Sequence, residues 1–169
     1  MPLLKTIGAV ALALALVGCA KQGGEAASPV ERGKYLVSIL GCSDCHTPGG
    51  FTPKPDTTRY LGGSDSDFDL PGLGRFGPPN LTPDKATGLG SWTTQQIITA
   101  FTAGARPDGR VLSPAMPWTD FSNLTKDDAA AIAAYLQSLP PVSHKVPGPR
   151  AAEPCVTGAV QCIVARPGG

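Results

Sequence analysis

The sequence predicts an all-α domain in which three main helices are joined by long loops rich in glycine and proline. Three observations lead there. Three segments open with helix-capping residues and continue with apolar residues at helical spacing. Residues 48–80 hold thirteen Gly or Pro in 33 positions and show neither a helical nor a strand period. No alternating run elsewhere suggests a sheet.

The first helix opens at Ser28-Pro29-Val30-Glu31, which supplies an N-cap, a proline at the first helical position and an acid three residues after the cap. Tyr35, Leu36, Ile39 and Leu40 form its apolar stripe, and it ends near Gly41. The second repeats the capping box at Thr93 to Gln96, continues through Ile97, Ile98 and Phe101, and meets a C-terminal cap at Gly104. The third opens with Thr125 and Asp128 and runs through Ala129, Ile132, Tyr135, Leu136 and Leu139 until Pro140 and Pro141 stop it. A loop as long as 48–80 inside a compact domain needs something to wrap around.

At 169 residues the chain is long enough for one domain with a real core and too short for two ordinary ones. Fourteen Lys plus Arg against thirteen Asp plus Glu offer nothing to attract a polyphosphate backbone, which argues against nucleic acid as a partner. Ile7 to Val17 is an apolar run behind Lys5, shorter than the roughly 20 residues of a membrane-spanning helix, and reads as the apolar part of a signal peptide. Leu16-Val17-Gly18-Cys19 resembles the bacterial lipobox, so the expectation is a signal peptide over 1–18 and a lipidated Cys19. Residues 19–28 would then be a flexible tether, 29–141 the domain and 142–169 an irregular extension.

Cys42-Ser43-Asp44-Cys45-His46 has the C-x-x-C-H spacing of covalent haem attachment. Cysteines at i and i+3 face the same side of one helical turn, so two thioethers can grip one haem edge while the adjacent imidazole reaches the iron. A thioredoxin-like redox pair or half a zinc site uses the same cysteine spacing. No second C-x-x-C or His pair completes a zinc tetrahedron here, and an export signal precedes the motif.

An iron with one axial histidine has a further position to fill. Met116 stands in Ser113-Pro114-Ala115-Met116-Pro117-Trp118, where the prolines stiffen and extend the loop that carries the sulfur. Core methionines usually sit in helical or alternating apolar runs, which this segment is not, and Met116 is preferred as the axial ligand over a packing role. His144, after the last helix, is read as a solvent-exposed loop residue.

From about Glu31 to Pro141 the chain resembles a class I cytochrome c with a single haem, and is similar to the cytochrome domains that accompany bacterial alcohol, aldehyde and sugar-acid dehydrogenases. The motifs that carry the resemblance are Arg32-Gly33-Lys34-Tyr35-Leu36, Cys42 to His46, Pro79-Asn80-Leu81-Thr82-Pro83, Thr87-Gly88-Leu89-Gly90 before Trp92, Asp108-Gly109-Arg110, Met116-Pro117-Trp118 and Ala134-Tyr135-Leu136. The resemblance implies a cytochrome c fold wrapped around one haem c. It also implies a close crossing of the first and last helices near Gly33 and Tyr135, and a Pro79 or Pro78 carbonyl holding the far nitrogen of His46. For Trp92 it implies contact with a haem propionate, beside a plain packing role. The lipobox, the tether and the extension fall outside the shared pattern, and the dehydrogenase-linked relatives often carry several haems.

With Cys19, Cys42 and Cys45 assigned, Cys155 and Cys162 are left as a pair for a disulfide in an oxidising compartment, with a redox-active or metal-binding pair as the alternative. Asp65, Asp67 and Asp69 invite a calcium reading. Leu70 and Phe76 stand where an EF-hand loop needs Gly and a bidentate Glu, so the segment reads as a solvated loop.

Together these readings predict an electron carrier, not an enzyme. It would be exported, lipid-anchored to a bacterial membrane and facing the periplasm, with His46 and Met116 on the haem iron. Its partners would be redox proteins such as a membrane-bound dehydrogenase, an oxidase or another cytochrome. A haem subunit held permanently by such an enzyme, and a five-coordinate haem enzyme or gas sensor, are the alternatives.

Overall fold

The computed structural model describes residues 27–152 and 162–166; the expected signal peptide, Cys19 and Cys155 lie outside the described residues. Five α-helices occupy the described chain: α1 (Pro29–Ile39), α2 (Cys42–His46), α3 (Thr94–Ala103), α4 (Trp118–Phe121) and α5 (Lys126–Ser138). Three strands, β1 (Ser66–Leu70), β2 (Gly74–Phe76) and β3 (Cys162–Ala165), form a small antiparallel sheet in the order β2-β1-β3.

Local chemistry sets the ends of the three long helices. Ser28 accepts from the Glu31 amide while the Glu31 carboxylate accepts from Ser28 N, and Thr93 and Gln96 make the same reciprocal pair at α3. Gly104 ends α3 in the left-handed region at φ 69°. Thr125 caps α5 through the Asp128 amide, and α5 stops at Leu139, whose extended backbone is what a following proline requires. The core lies where α1 crosses α5 and α5 packs on α3, with Leu36, Val37, Ile97, Phe101, Ile132 and Leu136 at its centre. Gly33 permits that crossing, because a Cβ there would overlap the Ala131 carbonyl. Arg32 Nε donates to Asp128 Oδ1 at 2.8 Å across the same crossing.

Three expectations need correction. The domain is not all-α, because residues 66–76 fold as a hairpin with Phe68 opposite Phe76. The reading of Asp65, Asp67 and Asp69 as a solvated loop also fails, since Asp67 and Asp69 are each 1% exposed in β1. Asp69 is paired twice by Arg75, including Nε to Oδ1 at 2.6 Å, and Asp67 pairs with Arg150 and Arg166. A buried carboxylate is tolerable only with such partners. Among the described residues no group of three or more His, Cys, Asp or Glu could hold a metal ion. Finally, the extension is not irregular throughout. Its residues 162–165 pair with β1 in antiparallel register, Asp67 opposite Val164 and Asp69 opposite Cys162. Cys162 is disulfide-bonded.

Candidate functional site

Only Leu40 and Gly41 separate α1 from α2, and Gly41 turns the chain in the left-handed region at φ 65°. That turn starts a short helix on which Cys42 and Cys45 stand one turn apart, neither of them in a disulfide. Burial pushes the Cys42 thiol up to about 11, and burial together with Asp44 raises Cys45 as well.

His46 ends α2 and is buried, 5% exposed. Its Nδ1 lies 2.7 Å from the Pro79 carbonyl oxygen, whereas the Pro78 carbonyl accepts from Ser64 N at 3.0 Å. Of the two expected prolines, Pro79 therefore orients the ring. The Pro79 bond assigns the proton to Nδ1 and leaves Nε2 as the nitrogen with a lone pair to offer. Burial lowers the His46 pKa, against the opposing effect of the Pro79 carbonyl, and so favours the neutral imidazole a metal needs. The loop behind the ring is fastened on both sides. Gly63 N donates to the His46 carbonyl at 2.8 Å, and Thr47 Oγ1 accepts from Leu61 N at 3.0 Å.

Met116 sits in a tight loop before α4, its amide bonded to Ser113 O and its carbonyl to Trp118 N. Gly104 leaves room for the Trp118 ring, since a Cβ at Gly104 would come within 2.8 Å of it. The methionine loop is thereby fixed to the end of α3. Trp92 is half-buried, and the Arg106 guanidinium lies 4.9 Å from its ring centroid.

Cys42, Cys45, His46, Pro79, Trp92 and Met116 all line one cavity of about 290 Å³. Much of the remaining wall is apolar and comes from α3, α5 and the hairpin, including Ile97, Phe101, Ile132, Phe68 and Phe76. His144 does not line it. Contrary to the expectation of an exposed loop residue, His144 is half-buried and its Nδ1 lies 2.9 Å from the Gly62 carbonyl.

Sequence reasoning missed Arg106, Arg110, the two hairpin phenylalanines and the segment Val146 to Pro149, all of which line the cavity. Asp108-Gly109-Arg110 was a visible motif, but spacing alone did not place it at this wall.

Two cysteines one helical turn apart and outside any disulfide, a neutral imidazole with Nε2 available and a methionine sulfur, all facing one largely apolar cavity, fit an iron porphyrin held by thioether bonds. A family model described as cytochrome c matches residues 30–140. A subunit of nicotinate dehydrogenase from Pseudomonas putida is 34% identical over 125 residues, which cover 74% of this chain and 10% of that protein. The fructose dehydrogenase cytochrome subunit of Gluconobacter japonicus is 33% identical over 64% of this chain and 21% of its own length. The cytochrome c subunit of alcohol dehydrogenase (quinone) from Gluconobacter oxydans is 30% identical over 78% of this chain and 26% of its own. The chain thus spans about a quarter or less of these relatives. The family model covers the first and last helices and every cavity residue named for the iron and its thioethers, and the chain belongs to the cytochrome c family.

Proposed function

We propose that this electron-transfer cytochrome c carries a single haem c, bonded through Cys42 and Cys45 and ligated by His46 and Met116, and passes electrons between membrane-bound redox proteins. The observation that carries the reading is the convergence of those four side chains on one cavity with the His46 ring held by Pro79.

Haem c, when bound, supplies a one-electron iron couple. The protein's part is positioning and exclusion of water. Cys42 and Cys45 would hold the group on α2. His46 presents Nε2 at an angle set by Pro79, so its ring need not reorient as charge changes. Met116 is carried on a loop stiffened by Pro114 and Pro117, and its soft sulfur would favour ferrous iron more than a second imidazole would. Ile97, Phe101 and Ile132 keep water away, which limits reorganisation as charge changes.

The resemblance of Leu16 to Cys19 to a lipobox supports lipidation of Cys19, and with it a membrane-tethered, periplasm-facing carrier. No helix among the described residues is long and apolar enough to cross a membrane. The relatives are named as parts of nicotinate, fructose and alcohol dehydrogenases, which supports a dehydrogenase as the electron donor. The test is Met116→Ala: the sulfur-to-iron absorption band disappears and the potential falls. An unchanged spectrum overturns the axial assignment. Copurification from gently solubilised membranes identifies the donor and separates a free carrier from a permanent subunit.

A further inference from the structure

The family model ends at residue 140, yet the cavity does not. Val146, Pro147, Gly148 and Pro149, from the extension beyond the family domain, line it beside Phe68 and Gly77.

Residues 142–150 of the extension are joined to the domain by a series of hydrogen bonds. Val142 N donates to Thr82 Oγ1 at 3.0 Å, and Asn80 Nδ2 donates to Val142 O at 2.6 Å. His144 N donates to Thr87 Oγ1 at 3.1 Å. Arg150 exchanges both backbone hydrogen bonds with Arg75 of β2. Two of its side chains occupy space the domain keeps free. A Cβ on Gly62 would come within 2.8 Å of Val142, and one on Gly63 or on Gly77 within 2.6 Å of Val146. Three glycines of the domain are thus fitted to two valines of the extension.

The latch is electrostatic. Asp67, 1% exposed in the central strand, pairs with the Arg150 guanidinium and lies 3.3 Å from Arg166 Nη2. Both cations belong to the extension, one immediately after the cavity-lining segment and one after β3. Removing the carboxylate leaves the mostly buried Arg166 and the more exposed Arg150 without that counter-charge, a cost that falls chiefly on Arg166.

We propose that residues 142–150 are a strap that forms part of the haem pocket, with Val146 to Pro149 as haem-covering residues and Asp67 as the anchor that holds them. The inference rests on the haem reading above. With the strap closed, water is kept from that side of the group, and a drier haem favours the less charged ferrous state and a higher potential. Electron exchange is confined to the remaining open edge.

The experiment uses the full-length chain matured with haem, as wild type, Asp67→Asn, and Val146→Ser, the last leaving the latch charges in place. Covalent haem content and the visible spectrum are measured first, then midpoint potential, the rate of reduction by ascorbate, and thermal unfolding. The strap predicts that both variants keep the wild-type spectrum, shift to lower potential and are reduced several-fold faster by ascorbate. If Asp67→Asn does not accumulate folded, Val146→Ser carries the test alone. A lower melting temperature with unchanged potential and reduction rate means that the extension only stabilises the fold, and overturns the proposal. A wild-type chain lacking covalent haem overturns the haem reading and the strap with it, which separates the two failures.

Discussion

Gly33 of α1 packs against Ala131 of α5 with no room between them for a side chain: a Cβ at Gly33 would overlap the Ala131 carbonyl oxygen and lie 2.7 Å from the Tyr135 Cβ. The neighbouring atoms are helix backbone and cannot swing away. Gly33→Ala is expected to push the helices apart and cost about 1–3 kcal/mol or more, the range for overpacking. Denaturant unfolding of the matured protein checks this, and a variant as stable as wild type would disprove the tight crossing.

The same crossing carries a charge pair with a pH signature. The hydrogen bond from Arg32 holds the Asp128 carboxyl below its ordinary value. A lowered folded-state pKa means that the contribution is present above the unfolded carboxylate range and is lost as pH falls through the folded value. Asp128→Asn should therefore be less stable than wild type at neutral pH, and the gap should narrow as pH falls below the ordinary carboxylate range. A difference that persists undiminished in acid would rule the pair out as its source.

Asp69 and Arg75 form a buried, doubly bonded pair within the hairpin. Asp69→Asn leaves a buried guanidinium without that carboxylate and should cost about 3–5 kcal/mol. Replacing both with leucine should recover much of that loss, because an apolar pair carries no desolvation penalty. Chemical denaturation of the two variants side by side measures the difference.

Ile97, Phe101, Ile132 and Leu136 face the cavity, so a bound haem supplies apolar contacts that the core would otherwise lack. Cys42→Ala/Cys45→Ala, produced without haem, is expected to lose cooperative unfolding and most of its helical circular dichroism. A sharp thermal transition in that variant would contradict the prediction.

Met116→His tests the ligand by substitution instead of deletion. An imidazole in place of sulfur is a poorer match for ferrous iron, so the potential should fall while the iron stays six-coordinate and low-spin. Redox titration with parallel electron paramagnetic resonance reads both.

What was legible in the sequence was local. Ser28 with Glu31, Thr93 with Gln96 and Gly104 announce helix ends because each bond spans only a few residues, and the structure places those ends accordingly. The short helix of Cys42 to His46 is likewise local, because the whole motif fits within about one turn. The hairpin was not. Asp67 and Asp69 look like solvent-facing acids until Arg150 and Arg166, 83 and 99 residues from Asp67, arrive beside them. The strap was hidden for the same reason: no spacing rule connects Gly63 or Gly77 to Val146. Arg106 is the same kind of case, since its place over Trp92 depends on how the loop after α3 folds back.

The α1–α5 crossing also orders events in time. Arg32 and Asp128 are 96 residues apart, so the first helix cannot find its main packing partner until nearly all of the domain has been synthesised. Cys42 and Cys45 follow α1 directly and emerge early, with their intended neighbours Met116 and Ile132 still to come. For that interval the two thiols stand in an open chain, accessible to a haem and to whatever joins it to them. When α5 arrives it closes the core over the cavity that those two cysteines line.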